Sequence, residues 1–226
     1  MSHLVFRRFL LMTVVVVFTG CRSPLKMDEE VYGEFDASAY DAGPQPEGAC
    51  NSNDSTYSFN NSLSPYFGGD ESIKAEVVDF SSFYCSHCAD FAEDVHTLWS
   101  TRPDIQEKVR FYFHHTSTSW RHLASVAAQN QGMEHFWAVH DFIYVSMREE
   151  YTSGPSEEEI TEFVRDTLKL DMDRFEADIA DQKTAKFINW DKEQGEKAGV
   201  QGTPTVFVCG EKVDRSQLES VLDEHL

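Results

Sequence analysis

The sequence predicts an α/β protein. Three observations carry that reading. Short apolar runs at Ala75–Phe80, Lys108–His114 and Thr203–Phe207-Val208 have the length and composition of buried strands. A stretch with helical spacing lies between the first two. A long helical block, about 119–198, separates the second from the third. Strand, helix and strand in that order imply a parallel pair joined by a crossover.

Each element follows from its own pattern. In 88–101, Phe91, Val95, Leu98 and Trp99 share one helical face. In the long block, Met133, Phe136, Trp137, His140, Ile143, Tyr144 and Met147 keep helical spacing, a core stripe in which His140 reads as a satisfied core histidine. Ser156 with Glu159 has the form of a capping box, and Ile160, Phe163, Val164 and Leu168 continue its helix. The acidic residues at 157–159 read as a solvated helix start. Two more helices are expected at 171–180 and 183–198. After the strand at 203–208, Gly210 offers a turn and 211–213 a partner strand. Leu218, Val221 and Leu222 mark a last helix.

The N-terminal third reads differently. Arg7 and Arg8 precede the apolar run Phe9 to Phe18, the pattern of a secretory signal over 1–20. Phe18-Thr19-Gly20-Cys21 resembles a bacterial lipobox. The resemblance implies cleavage before Cys21 and lipid on its sulfur; an ordinary signal peptide or an uncleaved anchor is the alternative. Arg22 stands where aspartate is associated with inner-membrane retention, which points to the outer membrane. Residues 21–70 are rich in Asp, Glu, Ser, Asn, Gly and Pro and show no period, so a lipidated cysteine and flexible tether are expected. Such a tether spans roughly 35–40 Å. A short edge strand or packed arm over 55–68 is the alternative. The domain proper is expected over 71–226.

Composition excludes some functions. Hydrophobic residues make up 41% and aromatics 13%, enough for a packed core. With 39 acidic and 19 basic residues the formal charge is −20, which argues against a nucleic-acid partner. Cleavage at residue 20 would remove two arginines and no acid, deepening that charge by two. No interior run spans a bilayer.

The chemistry is concentrated at Cys85-Ser86-His87-Cys88, between the first strand and its helix. At a helix start, backbone N–H groups and the macrodipole favour an anion, so Cys85 is expected to be a reactive thiolate, assisted by His87 when protonated. Cys88, one turn on, would be its buried partner. Half of a zinc site is the other use of CxxC, but no second ligand pair follows.

Phe83-Tyr84-Cys85-Ser86-His87-Cys88-Ala89-Asp90-Phe91 resembles the active-site segment of DsbA-like thiol–disulfide oxidoreductases. Gly202-Thr203-Pro204-Thr205 resembles that family's cis-proline loop. The resemblance covers about 70–226. It implies a thioredoxin-like fold with a helical insertion between the second and third core strands. It also implies roles: Cys85 as nucleophile, Cys88 resolving, Ser86 and His87 tuning the thiolate. Thr203 and Pro204 would face the bound peptide, and Asp79 would relay protons to or from Cys88. Ser86 stands where many strong oxidases have proline, and Thr203 where some have valine. An oxidase is expected, with a reductase or isomerase as the alternative. A periplasmic copper-binding protein using Cys85, Cys88 and the nearby His114 or His115 is a more distant one.

The implied partners are protein thiols or disulfides and a separate recycling partner, with no cofactor and no metal. A monomer in an extracytoplasmic, lipid-anchored setting is expected. Cys50 and Cys209 remain. A structural disulfide between them is the expectation; a buried free Cys209 with an exposed Cys50 is the alternative.

Overall fold

A computed structural model describes Cys50 and residues 56–69, 73–149 and 153–226. The signal segment, Cys21 and most of the tether lie outside the described residues.

Among the described residues five strands form one sheet: β1 (Tyr66–Phe67), β2 (Ala75–Ser81), β3 (Val109–His115), β4 (Thr205–Val208) and β5 (Glu211–Val213). Their order is β1-β3-β2-β4-β5. β2 and β3 are parallel, in register from Ala75↔Val109 to Ser81↔His115. Every other pairing is antiparallel. The crossover between the parallel pair is α1 (Ser86–Thr101) followed by α2 (Pro103–Lys108). α2 was not foreseen. Arg102 leaves helical geometry, and Pro103, which needs no hydrogen-bond partner for its nitrogen, opens the new helix.

The central strands are covered on both faces, which is why they read as unbroken apolar runs. On one face Ala75, Val77, Val206 and Val208 pack with Phe91 and Val95 of α1 and with Leu218 and Leu222 of α8 (Leu218–His225). On the other, Val78, Phe80 and Phe207 meet Phe59 and Ala198.

The insertion is α3 (Trp120–Gln129), α4 (Met133–Glu149), α5 (Glu157–Glu162), a π-helical turn (Phe163–Leu168), α6 (Met172–Ala180) and α7 (Gln182–Lys197). Of the predicted stripe of α4, Phe136, His140, Ile143, Tyr144 and Met147 are buried and Met133 and Trp137 half-buried, and Val139 joins the buried face. The capping box forms. Glu159 N–H donates to Ser156 Oγ at 3.2 Å, and Ser156 N–H to Glu159 Oε2 at 2.7 Å. Among the described residues no helix is long and apolar enough to cross a membrane.

Two expectations need correction. The boundary at residue 70 falls too late. Residues 56–69 are a packed arm: Phe59 and Leu63 are buried, β1 pairs with the outer edge of β3, and Trp137 Nε1–H donates to the Tyr66 carbonyl at 2.9 Å. The arm holds because β3 would otherwise show an open edge and Phe80 an uncovered ring. The third strand begins at Thr205, not Thr203, so Thr203 and Pro204 stand in the loop before it.

Candidate active site

β2 ends at Ser81, and a short turn delivers Cys85 to the start of α1. Cys85 N–H donates to the Ser82 carbonyl at 3.0 Å. Cys85 keeps extended backbone angles, φ −109° and ψ 114°, as the residue that caps the helix. Its own carbonyl accepts from Cys88 N–H at 3.0 Å and Ala89 N–H at 3.2 Å. Cys85 is therefore held at the positive end of α1, half-buried, while Cys88 one turn inside is only 1% exposed. Both are free thiols.

The second motif arrives from 118 residues away. Cys85 Sγ–H donates to the Thr203 carbonyl at 3.3 Å. The Thr203–Pro204 peptide is cis, and Thr205 Oγ1–H closes the loop on the Gly202 carbonyl at 2.7 Å. Beside this loop a cleft of about 340 Å³ opens, lined by Ser82, Thr116, Lys192, Glu196 and Thr203 among others.

Below the thiols lies Asp79. One carboxylate oxygen accepts from Ser81 Oγ–H at 2.5 Å. The other, Oδ1, is shut off from solvent with no hydrogen-bond partner among the described residues. Burial pushes the Asp79 carboxyl up to about 7, against the pull of the Ser81 hydroxyl. Burial also raises the Cys88 thiol strongly, and the neighbouring Asp79 charge raises it further.

His87 and Ser86 are on the rim. The His87 side chain is 73% exposed, its Nδ1 3.7 Å from Asp90 Oδ2. Its carbonyl accepts from Arg215 Nη1–H at 3.1 Å. Ser86 is exposed at the first position of α1.

The structure thus gathers Cys85, Cys88, Asp79, Thr203 and Pro204 and leaves Cys50 and Cys209 elsewhere. Those two form a disulfide with Cα atoms 5.1 Å apart. It lies past the end of β4 opposite to Thr205, where Cys209 N–H donates to the Glu76 carbonyl and Cys50 N–H to that of Lys74, both at 2.9 Å. His114 and His115 are fully buried. His114 Nε2 is shared between Ser64 Oγ at 3.1 Å and Asn61 Oδ1 at 2.9 Å. His140 is paired with Asp141 at 2.8 Å.

Sequence reasoning missed two neighbours. Ser81 is fully buried and bonds the acid. The Tyr144 hydroxyl is buried without a hydrogen-bond partner among the described residues, and burial, then the charges of Cys88 and Asp79, push it well above the usual phenol range. Tyr144 belonged to the apolar stripe of α4, and nothing in helical spacing separates a core aromatic from one that reaches a site.

The chain is similar to known proteins. A family profile described as Thioredoxin matches residues 62–225. The chain is 26% identical over 168 residues to the probable disulfide bond formation protein D of Bacillus anthracis, covering 70% of this chain and 76% of that one. A thioredoxin-like oxidoreductase from Silicibacter pomeroyi DSS-3 superposes with a TM-score of 0.58 at 22% identity, over 73% of this chain and 93% of the other. The thiol-disulfide exchange protein alpha-DsbA2 of Wolbachia pipientis does so with a TM-score of 0.56 at 22% identity, over 71% and 86%. At these identities the two solved structures speak for the fold.

Proposed function

The chain belongs to the thioredoxin family, and we propose that it is a DsbA-like thiol–disulfide oxidoreductase that oxidises protein thiols through Cys85 and Cys88. The observation that carries the reading is the pair of unequal thiols. One is half-exposed at a helix start, 3.3 Å from the Thr203 carbonyl, and the other is buried a turn behind it.

The steps follow from that asymmetry. With Cys85 and Cys88 joined, a substrate thiolate attacks Cys85 Sγ, the sulfur within reach. The Cys85–Cys88 bond breaks, and the electron pair leaves on Cys88. Burial disfavours a charge there, so Cys88 takes up a proton, for which the Asp79 carboxyl is the adjacent donor. A second substrate thiolate then attacks the substrate sulfur of the mixed disulfide, and Cys85 leaves. The substrate is oxidised by two electrons, and Cys85 and Cys88 end reduced. A separate oxidant, a redox partner protein, must restore the pair. Thr203 and Pro204 would line the bound peptide beside Cys85, with the neighbouring cleft taking residues that flank its cysteine. Exposed Ser86 and His87 would tune the sulfur.

The disulfide-forming direction is supported by the B. anthracis relative, whose name assigns it to disulfide bond formation. The Cys50–Cys209 disulfide supports an oxidising, extracytoplasmic setting. We place the protein there through the signal at 1–20 and a lipid on Cys21, with the domain held off the membrane by the tether. Radiolabelled palmitate incorporated by the native chain, and lost with Cys21→Ser, is the expected outcome.

The function is tested by trapping. Cys88→Ser should accumulate mixed disulfides between Cys85 and protein partners, separable on a non-reducing gel. Cys85→Ser should form none and should lose turnover. Retained turnover in Cys85→Ser would refute the assigned nucleophile.

A further inference from the structure

The helical insertion grips the turn that carries Cys85 by the backbone of Phe83. Phe83, two residues before Cys85, is fully buried, its ring stacked on Phe113 with centroids 5.1 Å apart. Both polar atoms of its backbone are held by consecutive residues of α3. Phe83 N–H donates to His122 Nε2 at 3.3 Å, and its carbonyl accepts from Arg121 Nη1–H at 2.8 Å.

Neither partner is free to drift. The Arg121 guanidinium also donates to the Ser153 carbonyl at 2.7 Å and, through Nη2, to that of Pro155 at 2.6 Å. It lies 4.4 Å over the ring of Tyr84, the residue between Phe83 and Cys85. The 153–155 loop can close on it because residue 154 is glycine. Gly154 has φ +85°, and a Cβ there would sit 2.6 Å from Met147 Cγ and 3.0 Å from Arg121 Nη1.

His122 is fixed by proton logic. Since a backbone N–H can only donate, His122 Nε2 accepts, and its ring proton is on Nδ1. That nitrogen is 2.9 Å from His115 Nδ1, which therefore accepts. His115 is in turn tied to α7 by its backbone N–H, which donates to Asp191 Oδ2 at 2.8 Å. Burial supports the neutral rings this requires, holding His122 down at about 3.

We infer that Arg121 and His122 are positioning residues for exchange at Cys85: they clamp the Phe83 backbone from both sides and so set Cys85 against the Thr203 carbonyl. The insertion thereby acts on the reacting sulfur as well as packing against the sheet. This rests on the proposed thiol exchange at Cys85.

The test compares two reactions of the full chain. One is oxidation of a fluorescent peptide bearing two cysteines, which must dock beside Thr203. The other is alkylation of reduced Cys85 by iodoacetamide, which needs no docking. His122→Leu removes the acceptor. His122→Gln restores one near the Nε2 position. Arg121→Lys keeps the charge but not the fork.

His122→Leu and Arg121→Lys should slow peptide oxidation about tenfold, the scale of one lost buried hydrogen bond, and leave alkylation within about twofold. His122→Gln should recover to within about threefold of the native rate. Unchanged peptide oxidation, an equal fall in alkylation, or no recovery in His122→Gln would overturn the clamp. Should His122→Leu not fold, Arg121→Lys against the native chain decides by the same two rates. No peptide oxidation by the native chain would instead remove the exchange reading on which the clamp rests.

Discussion

Asp79 is the residue whose chemistry is most exposed to test. It stands two residues before the end of β2, under Cys88, and among the described residues only Ser81 offsets the burial of its carboxylate. Its carboxyl is raised from the ordinary 3.8 to about 7. The sign of the linkage follows. Between those values the folded chain holds a proton that the unfolded chain has released, so stability falls as pH rises from about 4 to about 7 and stays lower above. Asp79→Asn removes this dependence. We expect it to match the native chain near pH 4 in urea unfolding and to exceed it at pH 8, by up to about 4 kcal/mol. A variant less stable than the native chain at pH 8 would show that the acid is satisfied rather than strained by burial. The same substitution should slow proton delivery to Cys88, so the rate of mixed-disulfide formation should lose its pH dependence near 7. At this scale the sequence was legible where chemistry imposes a spacing, as in Cys85-Ser86-His87-Cys88 and Thr203-Pro204. It was silent on Tyr144, Ser81 and Arg121, since only tertiary contact brings them to the turn.

The elements show where pattern suffices and where it does not. The central strands and α4 were readable because burial on both faces or on one stripe leaves a periodic trace. The arm at 56–69 leaves none. Its anchors, Phe59, Leu63 and Phe67, are spaced among Asn and Ser and follow the local shape of the surface they cover. Phe59 sits on Phe80 at 5.3 Å and Phe207 at 4.9 Å between ring centroids, both edge-on. Phe59→Ala would open a cavity against β2 and β4 and should cost about 3 kcal/mol in denaturant unfolding. A loss below about 1 kcal/mol would mean the arm adds little to the domain. The π-helical turn at Phe163–Leu168 was likewise invisible, since its apolar spacing is that of the α5 helix it continues. Lys169, at φ +58°, ends it in the left-handed conformation usually taken by glycine.

Across the whole molecule the redox chemistry and the fold's cross-link sit at opposite ends of one strand. β4 begins beside Cys85 and leads directly into Cys209, whose disulfide to Cys50 closes a separation of 159 residues. Loop-closure entropy gives about 5 kcal/mol as an upper figure for so long a loop. The Cys50→Ser/Cys209→Ser double variant should therefore unfold at clearly lower urea, while Cys85 keeps its rate with iodoacetamide. Loss of both together would mean the cross-link also shapes the site. The central claim is that Cys85 and Cys88 form an oxidising pair, and its most direct test is their equilibrium reduction potential against glutathione, read by thiol trapping and mass spectrometry. A value near about −120 mV, that of a strong disulfide donor, is the predicted result; one near about −270 mV, that of thioredoxin, would contradict it and assign the site to reduction.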